Sequence, residues 1–276
     1  MHERRRSERH LLLVGAVVLC SVWVATPAAA EHTADEQITD STAYTLRDGE
    51  ARVGLWKVEY GLLDRLDLGT YTWPWLAKIA SLSGKYEWYR SESWSVANKL
   101  SVLRLDLQDW SEESEPAVFQ VVPVEMGVSY RFNESWTLSV EGIYTNVSAE
   151  GSYNEDDLNG AAAVTNFQWT STVEWRWTET LAVLLHLRSL AFQGTSGSGS
   201  SVTMPDAYTT VEVYGEAQSD VLDVEGASSA TLILHWAWST FNLRVGLGYG
   251  NWSLPGVNFV LPEKTYIPEF DLFWRW

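Results

Sequence analysis

The chain has 276 residues, 46% of them hydrophobic, and 16 are tryptophan. Acidic residues outnumber basic ones 36 to 19, a formal charge of −17, so there is no basic surface for nucleic-acid phosphates. A single cysteine, Cys20, excludes an internal disulfide framework and leaves stability to packing and backbone pairing.

Residues 1–30 read in three parts. "MHERRRSERH" is basic, "LLLVGAVVLCSVWV" is apolar, and "ATPAAA" ends in small residues that put Ala28 and Ala30 at an A-x-A cleavage site. That order describes a cleaved secretory signal peptide. The short apolar run and Pro27 disfavour a permanent anchor, and Leu19 before Cys20 disfavours a lipoprotein signal. Cleavage would remove Cys20 and leave a charge of about −19. Residues 31–40 are then expected as a short periplasmic tail, and 41–276 as one folded unit.

Beyond residue 30 no segment offers the roughly 20 continuous apolar residues of a membrane helix. The recurring signal is period two, which marks strands. "WKVEYGLLDRLDLGT" turns around Gly61 to Asp64, and "KYEWYRSESWSVANKLSV" around "SES". In "MGVSYRFNESWTLSVEGIY", Val124, Met126, Val128 and Tyr130 share an apolar face opposite Glu125 and Ser129. After "NES", Trp136, Leu138, Val140 and Tyr144 continue it. "FQWTSTVEWRWTETLAVLLHLRS" repeats the plan around "TET", and "SATLILHWAWSTFNLRVGLGYG" around "ST". The chain finishes on "YIPEFDLFWRW", with aromatic residues on one face and charge on the other.

Two features point beyond a soluble sandwich. Short turns alternate with long polar connections such as "QDWSEESEP" and "GTSGSGSSVTMPDAYTT", and tryptophans (Trp88, Trp94, Trp136, Trp175, Trp177, Trp236, Trp238) cluster beside the short turns. Short periplasmic turns, long external loops and aromatic girdles are the marks of a transmembrane β-barrel. The fold class expected is an all-β antiparallel up-and-down barrel of 12 strands, with 10 or 14 as alternatives. The count is eleven strands from about residue 51, plus "STAYTL" (41–46) joined through a hairpin at Asp48-Gly49. The excursion at 195–227 must add zero or two strands. Pro268 cannot donate to a ladder and is expected near the outer rim, at a bulge.

The ending resembles the C-terminal signal of bacterial outer-membrane proteins, through Tyr266, Phe270, Leu272, Trp274 and Trp276. That resemblance implies recognition by the barrel-insertion machinery. It also implies residence in the outer membrane of a Gram-negative bacterium, against lipid and lipopolysaccharide. A second resemblance covers about 30 residues: "TLRDGEARVG" and "YGLLDRLDLGT" are similar to the opening of a loosely defined group of transporter barrels. Leu46, Gly49, Gly54, Tyr60, Gly61, Leu62, Asp64, Arg65, Leu66, Asp67 and Leu68 carry the match. It implies the fold more than an activity.

By alternation the inward candidates are Lys57, Glu59, Arg65, Asp67, Lys85, Glu87, Lys99, Glu125, Arg131, Glu141, Glu174, Arg176, His186, Arg188, His235, Arg244, Glu269, Asp271 and Arg275. The signs nearly balance, so they suit either a salt-bridge filling or a pore lining. The external acids are Asp109, Glu112, Glu113, Glu115, Glu150, Glu155, Asp156, Asp157, Asp206, Glu212, Glu216 and Asp220, a field that would gather cations. No metal-ligand spacing or cofactor motif is present, and His186 and His235 point inward, away from where a lipid hydrolase would need them. The expected function is a small passive channel or transporter for hydrophilic solutes or ions, with a closed structural or surface-recognition barrel as the alternative.

Overall fold

The computed structural model describes residues 36–106, 117–153, 158–199, 226–253, 256, 258 and 260–276. Twelve strands close into one antiparallel barrel in which each strand pairs with its sequence neighbours and the last returns to the first. They are β1 (Ala51–Gly54), β2 (Lys57–Leu63), β3 (Leu66–Tyr71), β4 (Ala80–Arg90), β5 (Trp94–Asp106), β6 (Ala117–Arg131), β7 (Trp136–Tyr153), β8 (Leu158–Arg176), β9 (Leu181–Gly199), β10 (Ser228–Trp238), β11 (Phe241–Ser253) and β12 (Val260–Arg275). The wall is uneven. β7, β8 and β9 have 18, 19 and 19 residues, whereas β1, β2 and β3 have 4, 7 and 6.

The short turns are built by local side-chain chemistry. Asn133 Oδ1 accepts from the backbone N–H of Ser135 and of Trp136 at 2.9 and 3.0 Å, closing the β6–β7 turn. Thr178 Oγ1 does the same for Thr180 and Leu181 between β8 and β9. Beside these turns the outward aromatics form ladders across strands. Trp136 and Trp175 stack at 5.4 Å, Trp175 and Trp177 at 5.5 Å, and Trp94 meets Tyr130 at 4.5 Å. Above them Val140, Tyr144, Leu232, Leu234, Val245 and Leu247 lie exposed on the outer face. The inner face is lined by Ser, Thr, Asn, Gln and charged residues that are almost fully buried. Sheet closure pairs the backbone, and this inversion of polarity presents the apolar side outward, as a barrel in lipid requires.

The structure corrects the sequence in four places. Residues 41–46 form no strand and lie buried within the barrel. The twelfth strand is instead "ARVG", which pairs with β2 and β12 and closes the cylinder without help from 41–46. Asp48-Gly49 does turn, with Gly49 at φ 77° and Glu50 N–H donating to the Arg47 carbonyl at 3.0 Å. However, the turn brings the chain out of the lumen into β1 and joins no hairpin. Pro268 sits at no bulge, since it registers with Leu247 inside a continuous β11–β12 ladder whose irregularity lies at Asn251/Ser253. Of the expected tail at 31–40, residues 36–40 lie inside the barrel, and 31–35 fall outside the described residues. The expected signal peptide and the 200–225 part of the 195–227 excursion also fall outside them.

Candidate functional site

Residues 36–46 form a floor across the lumen at the short-turn end. Ile38 is fully buried against Ala182, Leu184 and Ile233, an inward apolar patch on β9 and β10. From there the segment crosses the barrel, and successive strands satisfy its backbone with side chains. Ser41 Oγ meets Thr172 Oγ1 on β8 at 2.9 Å. Ala43 N–H donates to Ser129 Oγ on β6 at 2.8 Å, and the Ala43 carbonyl accepts from Ser95 on β5 at 3.1 Å. The Tyr44 carbonyl accepts from Lys85 Nζ on β4 at 2.6 Å. Leu46 N–H is held by both oxygens of Asp67 on β3 at 2.9 and 3.0 Å. These bonds, with a turn at 39–42 in which Thr42 N–H and Oγ1 both donate to the Thr39 carbonyl, replace a strand ladder, so the segment is held without joining the sheet.

Its exit depends on Gly61. A Cβ there would lie 2.0 Å from the Arg47 carbonyl oxygen, and Gly61 also accepts from Gly49 N–H at 2.9 Å. Leu46, Gly49, Gly61 and Asp67, read as parts of an opening-strand pattern, therefore meet at one joint between floor and wall.

Beside and above the floor lies an ion-pair lattice. Arg52, 4% exposed, reaches Asp40 and Glu59 at 3.2 Å and Asp271 at 3.0 Å, with its guanidinium 4.2 Å from the Phe273 ring. Lys57 pairs with Asp40 at 3.2 Å and with Glu59. Lys99 joins Glu125 at 3.0 Å and Tyr71 Oη at 3.1 Å. Arg176 bridges Glu174 and Thr137. Arg275 pairs with Glu36 and Glu50 and donates to the Gln37 carbonyl, which ties the floor to β12. Breaking one partner of such a buried pair strands a charge, at a cost of about 3–5 kcal/mol.

Of the inward candidates, Lys57, Glu59, Asp67, Lys85, Glu87, Lys99, Glu125, Glu141, Glu174, Arg176, His235, Arg244, Asp271 and Arg275 are buried on the inner face. His186, Arg188 and Glu269 are half-buried there. Two depart. Arg65 occupies the β2–β3 turn at φ 81°, outside the lumen, because the turn falls on Asp64-Arg65. Arg131 sits at the end of β6 and donates to the Glu92 carbonyl in the neighbouring turn. Among the external acids, Glu150 lies exposed in β7 and the others fall outside the described residues. The alternation of "ARVG" already put Arg52 opposite Ala51 and Val53, but four residues are a weak signal. Asp40 and Tyr71 carried none.

A cavity of about 320 Å³ rests on Thr39, Asp40 and Ser41 and spans the lumen from Lys57, Lys99, Glu125 and Glu141 on one side to β9, β10, β11 and β12 on the other. Inward glycines on β11 admit the side chains and backbone packed around it. A Cβ on Gly248 would come within 2.3 Å of the Trp252 ring, and one on Gly246 within 2.9 Å of the Leu232 carbonyl oxygen.

Closed sheet, apolar exterior and polar, plugged interior define the class as a transmembrane β-barrel. No protein-family model matches the chain, and no curated protein matches it. Among solved structures, the NanC porin in a rhombohedral crystal form is similar at 9% identity, over 81% of this chain and 97% of that one, with a TM-score of 0.41. The CymD monoaromatic hydrocarbon channel is similar at 8% identity over 82% and 85%, TM-score 0.35. CdiB from Acinetobacter baumannii is similar at 9% identity over 82% and 59%, TM-score 0.29. At these scores the likenesses carry no argument about what this barrel does.

Proposed function

We propose that the chain is an outer-membrane transport barrel for small polar solutes or ions, held shut at its periplasmic end by residues 36–46. The observation that supports this reading is the way the floor is held. A cavity that Asp40, Arg52, Lys57, Arg188 and Arg244 help to line rests directly on it, and hydrogen bonds and ion pairs hold the floor along its length, beside apolar contacts led by Ile38. The neutral bonds exchange with water at about 0.5–1.5 kcal/mol each and those to charged groups at about 1.5–3, while the wall closes through β1 without the floor, so the floor can leave without unfolding the wall. Twelve strands also lie between the eight that side chains just fill and the sixteen that leave an aqueous channel.

The second reading, a closed scaffold, draws support from the ion-pair lattice that fills much of the lower lumen. One experiment separates the two. The chain with residues 36–46 deleted is reconstituted in a planar bilayer beside the parent. The transport reading expects rare openings from the parent and a steady, mildly cation-selective current from the deletion, with selectivity falling as salt rises. A folded deletion variant that stays silent at every salt concentration would favour the scaffold.

A further inference from the structure

The wall has a notch. β12 runs for 16 residues, yet only Phe273–Arg275 register with β1. The seam then continues through Leu55 N–H to the Leu272 carbonyl at 3.0 Å and Trp56 Nε1 to the Phe270 carbonyl. Past Phe270, among the described residues, no strand pairs with that side of β12. The backbone alternation shows what this edge presents. Trp276 and Ala51 exchange both backbone bonds and Leu272 accepts from Leu55, while Arg275 N–H turns to Thr240 on the other side. Even-numbered residues of β12 therefore aim their backbone groups at the notch. The next one is Pro268, which has no N–H. A proline at an uncovered edge removes the donor that would recruit another strand.

The cavity opens through this notch. Its lining includes Glu269 and Asp271 from the inner face of β12 and also Pro268 and Phe270 from the outer face. On β5, β6, β7, β9 and β10 the lining takes inner-face residues alone, so contact with this outer-face pair, at an edge where no described strand pairs, points to a passage towards the lipid side. Trp56 and Leu261 continue the apolar rim. The inner part is different. Of the lining's buried polar atoms, the donors without a hydrogen-bond partner are Arg52 Nε, Arg188 Nε, Arg244 Nε and Nη2, Trp252 Nε1 and Asn258 Nδ2, against the acceptor Asp271 Oδ1 and His186 Nε2, whose role depends on its tautomer. Arg244 is only 7% exposed and touches Asp271 through Nη1 alone, at 3.5 Å. Orphan buried donors are costly until an acceptor arrives.

We propose that the notch is a lateral binding site for a single-chain amphiphile with an anionic, oxygen-rich head such as a carboxylate. The head takes the Arg244 and Arg188 donors inside, and the chain leaves over Pro268 and Phe270 into lipid. The cavity volume, at the lower end for small-ligand sites, suits a head and its first methylenes rather than a whole lipid. This goes beyond passage of polar solutes, and equilibrium binding tests it independently of conductance.

The protein is reconstituted in phosphatidylcholine vesicles and titrated with 11-(dansylamino)undecanoic acid. Saturable binding at one probe per barrel is expected, with affinity at least tenfold weaker in Arg244→Gln and in Arg188→Gln. Variants are first checked for barrel integrity by heat-dependent gel mobility. Unsaturable binding, or equal affinity in both folded variants, overturns the proposal. Loss of probe binding when phosphatidylglycerol is added would assign the site to a bilayer phospholipid and overturn the single-chain ligand. The doorway is tested separately with N-dodecylmaleimide dissolved in the bilayer. Ile267→Cys at the free edge should react, whereas Ala182→Cys on a paired stretch of inner wall should not. Equal inertness of the two would close the notch.

Discussion

Gly61→Ala should release the floor while leaving the wall standing. The added Cβ would lie 2.0 Å from the Arg47 carbonyl oxygen, where a C···O contact needs about 3.3 Å or more, so the exit of the segment must move by about 1.3 Å. That movement breaks the bond from Gly49 N–H to Gly61 and the pair from Leu46 N–H to the Asp67 carboxylate. A neutral bond is worth about 0.5–1.5 kcal/mol and one to a charged group about 1.5–3. Together they take about 2–4.5 kcal/mol from the closed state, which multiplies the open-to-closed ratio roughly 30- to 2,000-fold. The assay is open probability in a planar bilayer, paired with limited proteolysis of residues 36–46 and with heat-dependent gel mobility to show that the barrel has formed. Asp67→Asn, which weakens the same joint without adding bulk, should move both readouts in the same direction by less. A folded Gly61→Ala barrel as quiet and as protected as the parent would refute the claim that this joint holds the floor.

Lysine at lipid-facing Val140 or Leu234 should destabilise by about 2–4 kcal/mol near mid-membrane, while lysine at Thr231, which borders the cavity, should cost far less. Ser139 is also inward, but it bonds Ser129 at 2.7 Å beneath the floor, so lysine there should cost about 1–3 kcal/mol by overpacking. Denaturant titration in vesicles measures all four, and equal costs at Val140 and Thr231 would refute the assignment of faces. Deleting Trp276, or replacing Phe270, Leu272 and Trp274 together by Ser, should block assembly. Trp276 exchanges backbone bonds of 2.9 and 3.1 Å with Ala51 in a seam only three register pairs long, and normal surface labelling of the variants would contradict this.

The sequence by itself determined the barrel. Alternation depends only on neighbours along the chain, so the faces of β5 to β12 could be read residue by residue, as with Glu125 against Val124 and Met126. Turn chemistry is equally local, and "NES" and "TET" sit where their side chains can cap the backbone. The count of twelve came out right although its first member was misplaced, because closure with both ends on one side demands an even number whichever segment supplies it. The floor was not legible. "STAYTL" has the polarity of a strand, and whether its backbone pairs with a ladder or with Ser129, Lys85 and Asp67 depends on groups that only the closed barrel brings together. The notch has the same origin. Pro268 announced a missing donor, but the side on which that donor would have pointed, and the absence of a described strand there, follow from the brevity of β1. Strand pattern is a property of neighbouring residues, whereas the interior of a barrel is made by residues from every strand at once.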